Sequence, residues 1–382
     1  AKPATIHWGL PIDQAVVGIP TAQAINALWA VTGNTDVPGG NIIIRNAFEQ
    51  NVSYNYGYQT LPAEVQAKRI GAEYPLSSTA HSDSILQAIE TGKPYPIRML
   101  WLSSTNPIAN MASDAPRVYR AVRTLDFVVV SDPFLTPTAV AFADVFLPAS
   151  MSCERNTQRV WWVPLRGMKK VTQFADVRSD DTIVTDLGRR LHPENFPWTD
   201  DIGWTNDILV NDTPGYDGDF EQLCKDVYVY PAFEYRKHEK GLLRPDGSLG
   251  FPTPSGRIEF WCESLAAFGY DPLPYIEEPG IGPVTTPDLY EEYPLIMITG
   301  ARTTSFFHSE HRQIPYLRQL TPDPWVQIHP RTAKDLNISE GDWVWIETPW
   351  GKVREVLDLY YGISQGVVNA NHAWWFPEFD TA

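Results

Sequence analysis

The stretch from Ile97 to Arg159 constrains the fold most, because it alternates short apolar runs with segments of helical periodicity. The apolar runs predict strands at Ile97 to Leu102, Phe127 to Val130 and Val145 to Leu147. Strands that are joined through helices run parallel in one sheet. The pattern therefore predicts half of a nucleotide-type α/β domain with a parallel sheet between helices.

Two helix starts support this alternation. Asp114 is a suitable N-cap with Pro116 in the first turn, and Thr136 followed by Pro137 repeats the signal. Between Asp114 and Leu125 the apolar residues recur at helical spacing, so one face of that helix is expected to pack on the sheet.

Polar residues follow the first two strands. Asn106 lies beyond the first strand and Asp132 beyond the second. Open α/β sheets bind ligands at the carboxyl ends of their strands, although ordinary turns with caps would have the same composition. The sequence has no GxGxxG motif after a strand and no GxxxxGK[ST] motif, so a ligand would be held without either phosphate-binding fingerprint.

Composition excludes several classes of function. A net charge of -16 and a pI near 4.9 argue against a nucleic-acid partner, because the phosphate backbone attracts basic surfaces. No apolar run reaches the ~20 residues that a membrane helix needs, so we expect a soluble protein without membrane insertion, cytoplasmic or periplasmic. Cys153, Cys224 and Cys262 lie far apart, which gives no metal-ligand spacing and no disulfide framework.

The first part of the chain contains a further predicted helix. We expect Thr21 to cap it, and we expect Gly33 to end it in a left-handed conformation. Its apolar residues Ile25, Leu28 and Trp29 share one face. Gln14 lies in the loop before this helix, where a surface role is the alternative to a ligand contact.

Other local patterns give weaker predictions. Glu154 follows the third strand, and pairing of its carboxylate with Arg159 is the alternative to a role in a site. The remaining predicted elements are a strand with alternating tyrosines at Tyr54 to Tyr58, helices at His81 to Thr91, Asp180 to Leu191 and Glu263 to Phe268, and a strand at Arg257 to Trp261.

The last part of the chain changes character. Short strands separated by turns, with one helix at Arg331 to Leu336, predict a closed β-barrel. The predicted strands are Leu295 to Thr299, Trp325 to Ile328, Trp343 to Glu347, Lys352 to Leu359 and Val367 to Ala370. Polar residues gather at the strand ends: Gly300, Arg302, His308, Ser309, Arg312, Asn371 and His372. The side chains suited to an anion or phosphate cradle are those of Arg302, Ser309 and Arg312. The alternative is that these side chains are loop residues exposed to solvent.

These patterns divide the chain into three parts. Residues 1–190 form the α/β domain, residues 191–290 are an irregular extension and linker rich in Pro, Gly and aromatic residues, and residues 291–382 form the barrel domain. The predicted fold class is therefore α/β, with a parallel-sheet αβα domain followed by a C-terminal β-barrel.

Five segments, in order, resemble the dimethyl sulfoxide reductase family, whose members carry molybdenum or tungsten on two molybdopterin guanine dinucleotides. The segments are TGNTDVPGGN at Thr32 to Asn41, SDPFLTPTAVAFADVFLP at Ser131 to Pro148, TPSGRIEF at Thr253 to Phe260, TGARTTSFFHSEHR at Thr299 to Arg312 and VQIHPRTAKDLNISEGDWVWIETPWG at Val326 to Gly351. The resemblance runs from about Trp8 to Trp375 and implies a double-psi type for the barrel.

The resemblance also implies which residues contact the cofactor. The residues that match nucleotide-contacting strand ends of the family are Asn106, Asp132 and Thr136. Gln14 matches a loop near the cofactor, and Glu154 follows the third strand. In the barrel the matching residues are Gly300, Arg302, His308, Ser309 and Arg312, with His372 and Trp374 in a later turn. Ala301 separates Gly300 from Arg302 where many family members have Gly-Arg.

Two departures from the family concern the metal. Family members place their [4Fe-4S] cysteines and the metal ligand in an N-terminal half that this chain does not contain, and they usually continue past the equivalent of Trp375. We therefore expect a fragment that is inactive alone, holds no metal ligand of its own, and needs that N-terminal half. An iron-sulfur electron-transfer subunit is a further expected partner.

The expected reaction is a two-electron reduction of a small organic or oxyanion substrate, typical of anaerobic metabolism. A non-redox hydratase or transhydroxylase of the same family is the alternative. A non-catalytic module that binds an aromatic or sugar ligand is the alternative from another class, since 14 Trp and 17 Tyr would permit it.

Overall fold

The computed structural model of the protein describes residues 3–43, 61–74, 76, 79–111, 114–159, 164–213, 215–230, 233–300 and 303–376. The strand predicted at Tyr54 to Tyr58 lies outside these residues. Within these ranges the helices that precede the first sheet are α1 (Leu10–Asp13), α2 (Gly18–Val31), α3 (Ala63–Gln66) and α4 (Ser82–Thr91).

The first sheet has three strands in the order β1 (Met99–Ser103), β2 (Phe127–Asp132) and β3 (Val145–Pro148). Both pairings are parallel, which confirms the prediction from the strand and helix alternation. The connecting helices are α5 (Pro107–Asn110), α6 (Ala115–Val122) and α7 (Pro137–Phe142).

The core of this unit lies between the sheet and its helices. Val118 and Val122 of α6 are one turn apart, pack with Val128 and Val130 of β2, and are joined by Leu86 of α4. None of the five is more than 5% exposed. Burying each side chain stabilises the fold by roughly 1.5–3 kcal/mol, so this apolar layer fixes the positions of the strand ends.

The predicted helix caps are confirmed. The Asp114 carboxylate accepts a hydrogen bond from the Arg117 N–H at 3.2 Å, and the Thr136 hydroxyl accepts one from Ala139 N–H at 3.2 Å. Each cap satisfies a donor that the first helical turn leaves unpaired.

The predicted start of α2 was wrong. The helix begins at Gly18, and Thr21 lies inside it, where its hydroxyl donates to the Val17 carbonyl oxygen at 2.7 Å. Pro20 in the first turn has no N–H to satisfy, so the helix accommodates it upstream of Thr21. Gly33 follows the helix with a φ of 68°, as predicted.

The middle of the chain has a small core of its own. A hairpin of β4 (Thr157–Arg159) and β5 (Arg166–Met168) is followed by α8 (Asp180–Leu191), α9 (Asp201–Asp212) and α10 (Phe220–Asp226). This core contains the fully buried side chains of Leu165, Leu209, Phe220 and Leu223. The predicted bounds of α8 are confirmed.

The strand predicted at Arg257 to Trp261 was wrong. This segment bonds locally: the Thr253 hydroxyl donates to the Arg257 carbonyl oxygen at 2.6 Å, and the Ser255 N–H donates to Glu259 at 2.8 Å. The Arg257 carbonyl oxygen is therefore not free to pair in a strand ladder. The helices that follow are α11 (Glu263–Ala267) and α12 (Pro287–Glu292).

Among the described residues, the C-terminal sheet contains five strands in the order β6, β10, β7, β9, β8, with mixed directions. The strands are β6 (Ile296–Ile298), β7 (Trp325–Ile328), β8 (Trp343–Thr348), β9 (Gly351–Leu359) and β10 (Val367–Ala370), with helices α13 (Pro315–Leu320) and α14 (Pro330–Asp335). The predicted strands are confirmed, but the closed barrel is not found among the described strands. β6 and β8 lie at opposite edges of a half-barrel sheet, and β6 contributes only three residues to pairing.

All helices in the described ranges are short, and α2 is the longest at 14 residues. Of the helices that the structure describes, none has the length and apolar character to cross a membrane. The domain boundaries predicted near residues 190 and 290 stay predictions.

Candidate functional site

Asn106 lies at the carboxyl end of β1 and is only 3% exposed. Its side-chain oxygen accepts a hydrogen bond of 2.6 Å from the Thr138 hydroxyl, which ties the first strand end to α7. Its side-chain Nδ2 is buried, and none of the described residues accepts a hydrogen bond from it. An unpaired buried donor is costly, so this atom is suited to an acceptor on a bound ligand.

Asp132 ends β2 and is 8% exposed. Burial raises the pKa of its carboxyl, and the carboxylates of Glu310 and Asp180 raise it further, whereas the Phe134 N–H opposes the shift. The negative charge of Glu310, in the loop that also contains Ser309 and Arg312, therefore acts on Asp132. A ligand that donates hydrogen bonds would stabilise the Asp132 carboxylate there.

Thr136 and Glu154 have structural partners. The Thr136 hydroxyl caps α7. The Glu154 carboxylate accepts hydrogen bonds from Met151 N–H at 3.0 Å and Phe174 N–H at 2.8 Å, which lower its pKa. These backbone contacts take the place of the suggested pairing with Arg159.

Gln14 is exposed at the end of α1, and its backbone N–H closes that helix on the Leu10 carbonyl oxygen at 2.9 Å. The described contacts of Gln14 are therefore those of a helix terminus. Its match to a cofactor-proximal loop stays a prediction.

Arg312 is the centre of the second group of predicted residues. It is 3% exposed, and its guanidinium donates to the carbonyl oxygens of His308 at 2.7 Å and Ala373 at 3.2 Å. The same guanidinium lies over the rings of Trp374, at 4.2 Å, and Phe306, at 4.5 Å. Burial lowers its pKa to about 10, so it stays charged at neutral pH.

A hydrogen bond between two imidazoles joins the ends of this group. His308 Nδ1 lies 3.0 Å from His372 Nε2, although the residues are 64 positions apart. His308 and Ala373 both have a positive φ, at 50° and 55°, which is a strained conformation for residues with a side chain. The surrounding contacts stabilise these two strained backbone conformations.

Ser309 and Trp374 complete the group. Ser309 is buried, and its carbonyl oxygen accepts a hydrogen bond of 2.7 Å from Trp375 Nε1. Trp374 packs edge-on against Phe306. The Nε1 of Trp374 is buried and has no acceptor among the residues that the structure describes.

The predicted anion cradle needs one correction. Two nitrogens of Arg312 are already bound to carbonyl oxygens, so its guanidinium is not a free fork; only Nη1 is buried without an acceptor in the described part of the chain. Gly300 is exposed beside the loop. Arg302 lies outside the described residues.

Sequence reasoning missed Glu310 and Glu355. Glu310 lies in the same loop as Ser309 and Arg312, but the anion-cradle argument that selected those residues does not select a carboxylate. Glu355 is 3% exposed and accepts a hydrogen bond of 3.1 Å from Asn371 N–H. Its burial depends on which face of β9 packs inward, which the local pattern did not show.

Within the described ranges no three His, Cys, Asp or Glu residues are grouped to hold a metal ion.

Comparison with known proteins identifies both halves of this arrangement. The family "Molybdopterin oxidoreductase" matches residues 1–160, and the family "Molydopterin dinucleotide binding domain" matches residues 295–381. The first match contains the parallel sheet with Asp132, and the second contains the C-terminal sheet and the loop with Arg312. The chain belongs to the dimethyl sulfoxide reductase family.

Family members of different activity are similar to this chain. Dopamine dehydroxylase from Eggerthella lenta is 32% identical over 99% of this chain, and acetylene hydratase from Syntrophotalea acetylenica is 27% identical over 99%. The solved structure of acetylene hydratase from Pelobacter acetylenicus matches 99% of the chain with a TM-score of 0.84 at 26% identity.

The chain spans about half the length of these family members. It covers 44% of the dopamine dehydroxylase, 54% of the curated acetylene hydratase and 55% of the acetylene hydratase structure. The matches therefore establish the fold and the family, and they leave the specific reaction open.

Proposed function

We propose that this chain binds the nucleotide parts of a bis-molybdopterin guanine dinucleotide cofactor in a molybdenum or tungsten oxidoreductase. The observation that carries the proposal is a set of buried hydrogen-bond donors without an acceptor among the described residues. They are Asn106 Nδ2, Arg312 Nη1 and Trp374 Nε1. All three belong to residues that the family resemblance assigns to the cofactor.

The donor set fits the chemistry of that cofactor. Phosphate, pterin and guanine oxygens are acceptors, and Arg312 Nη1 is a charged donor suited to one of them. Guanine also presents N–H donors, and the buried carboxylate of Asp132 is a suitable acceptor for them. Arg312, and Arg302 by resemblance, would contact phosphate.

The cofactor metal would supply two-electron redox chemistry, and this chain would supply binding and enclosure. Arg312 brings a positive charge into a buried position between Trp374 and Phe306, where water does not screen it. The expected contribution of the chain is thus to hold a polyanionic cofactor in a fixed position.

We propose reduction of a small organic substrate as the reaction. The similarity to a dopamine dehydroxylase at 32% identity supports a reductive reaction on such a substrate. The similarity in fold to acetylene hydratase supports the second candidate, a hydration without net electron transfer.

The complete enzyme is proposed to include a polypeptide region beyond these 382 residues, because the similar family members are about twice as long. That region would supply the metal ligand, a [4Fe-4S] cluster and the rest of the cofactor cleft. Residues 1–382 alone are then expected to be inactive.

The binding proposal is tested by Asp132→Ala in the complete enzyme. We expect loss of pterin, measured as fluorescence after acid oxidation, at little change in stability. Asp144→Ala is the matched control, because the Asp144 carboxylate accepts from Val128 N–H where β2 begins. Unchanged pterin content in Asp132→Ala would remove Asp132 from the site, and absence of pterin from the wild type would favour a binding module for another ligand.

The reaction is tested separately. Consumption of a reduced dye with a hydroxylated aromatic acceptor would support reduction. Turnover of acetylene or a related substrate without any electron donor would support the hydratase candidate instead.

A further inference from the structure

Glu355 is a buried carboxyl group that the proposed cofactor contacts do not use. It lies on β9, two residues before the buried Leu357, so both side chains point to the apolar face of the C-terminal sheet. In the strand pairing Glu355 lies opposite Val344, which packs against the same core. A carboxyl group on this face is out of keeping with the apolar residues around it.

The position is unfavourable for an ionised side chain. Desolvation raises the pKa of Glu355 from its ordinary value of 4.5 to about 8, and the hydrogen bond from the Asn371 N–H only partly opposes this shift. An apolar residue of similar size would fill the site without that penalty. Stability of the sheet is therefore a poor explanation for this residue.

The geometry of Glu355 connects it to the turn that follows β10, residues 371–375. Its Oε2 accepts from the Asn371 N–H at 3.1 Å, and the same N–H is 3.2 Å from the Trp325 carbonyl oxygen. In return the Asn371 side-chain oxygen accepts from the Trp325 N–H at 2.9 Å. The first residue of the turn is thus fixed between β7 and β9.

The rest of the turn is held from the opposite loop. Arg312 donates to the carbonyl oxygens of His372 and Ala373, and Trp375 donates to the carbonyl oxygen of Ser309. The positive φ of Ala373 lies between these contacts. Fixing Asn371 therefore limits how far the strained turn can relax, and with it the positions of His372 and Trp374.

We propose that Glu355 is a positioning residue, which anchors the 371–375 turn through Asn371 so that His372 and Trp374 are held for the dinucleotide. The inference rests on the proposed function for its link to the cofactor. The anchoring itself is a property of this chain and is testable without cofactor.

The experiment compares three variants of the full chain. Glu355→Met keeps an unbranched side chain and removes the acceptor, Glu355→Gln keeps an acceptor oxygen, and Leu357→Ala destabilises the same face of the same strand without reaching the turn. The first readout is the set of imidazole NMR signals of His308 and His372, together with hydrogen exchange of the Asn371 amide.

We expect Glu355→Met to shift both imidazole signals and to speed exchange at Asn371 by at least about tenfold, as loss of a hydrogen bond of about 1.5 kcal/mol implies. Glu355→Gln should restore the wild-type signals, and Leu357→Ala should leave them in place. Unshifted signals in Glu355→Met, or an equal shift in Leu357→Ala, would overturn the anchoring role.

The second readout is pterin retention by the complete enzyme on dilution. Faster loss in Glu355→Met than in Leu357→Ala would support the link to the cofactor, and equal retention would overturn that link. If the wild-type enzyme contains no pterin, the proposed function fails, whereas the NMR comparison still decides whether Glu355 anchors the turn.

Discussion

Lys237 Nζ lies 2.5 Å from Asp36 Oδ1, and the two side chains are buried together. The other oxygen of Asp36 accepts the Lys237 backbone N–H at 2.7 Å, and Lys237 Nζ also donates to the Glu234 carbonyl oxygen. Asp36 has a positive φ of 55°, in a loop that also includes Gly40. A Cβ on Gly40 would lie 2.4 Å from the Asn34 carbonyl oxygen, so this loop needs glycine there. The pair thus joins the N-terminal loop to the middle of the chain.

Lys237→Met should destabilise the protein strongly. Removing one partner of a buried ion pair leaves an uncompensated charge, which costs about 3–5 kcal/mol. The measurement is the free energy of unfolding from urea denaturation. Adding Asp36→Asn should recover part of the loss, because Asn tolerates the left-handed conformation.

Lys240→Met is the matched control for this pair. Lys240 contacts the Glu234 carboxylate at the exposed surface a few residues away. Surface pairs are largely screened by water, so the denaturation midpoint should stay close to that of the wild type. A loss equal to that of Lys237→Met would contradict the role assigned to the buried pair.

Thr136→Ala should lower the free energy of unfolding by about 0.5–2 kcal/mol, because it removes the N-cap of α7. Thr136→Ser keeps the hydroxyl and should retain most of that stability. Thermal or urea unfolding distinguishes the two variants. Equal losses in both would mean that the methyl group, and not the cap, stabilises this helix start.

Arg312→Lys should lower stability and weaken cofactor retention. A lysine cannot reproduce the planar fork that donates to His308 and Ala373 between two aromatic rings. Hydrogen bonds from charged groups contribute about 1.5–3 kcal/mol, so a loss of that order is expected in urea denaturation. Arg331→Lys, on the exposed side of α14, is the control. Wild-type stability and pterin content in Arg312→Lys would show that a point charge suffices.

The stability difference between the wild type and Glu355→Gln should depend on pH. The pKa of Glu355 is about 8 in the folded protein against its ordinary value of 4.5, so between these values the folded protein binds the additional proton. The stabilisation from that proton is fully present below pH 4.5 and is lost as the pH rises to about 8. Wild-type stability should therefore fall relative to Glu355→Gln over this window.

A difference that stays constant from about pH 5 to about pH 8 would contradict the raised pKa. Asp132 and Asp181 also have raised pKa values, and their contributions cancel in the comparison.

The sequence by itself determined the elements whose causes are local. The strands β2, β7 and β10, the caps at Asp114 and Thr136, and the bounds of α8 follow from neighbouring residues, since periodicity and capping depend on a few positions in the chain. The family motifs are likewise properties of the sequence.

Tertiary structure decided the features of the fold that depend on contacts between residues distant in sequence. Whether the C-terminal strands close into a barrel depends on pairing between β6 and β8, which lie at opposite edges. The segment predicted as a strand at Arg257 to Trp261 follows a tight turn and does not pair as a strand, and the Thr253 hydroxyl occupies the Arg257 carbonyl oxygen. The imidazole contact of His308 with His372 and the anchoring of Asn371 by Glu355 each join residues that are remote in sequence. Their energies come from burial and strand register, which a local pattern does not encode.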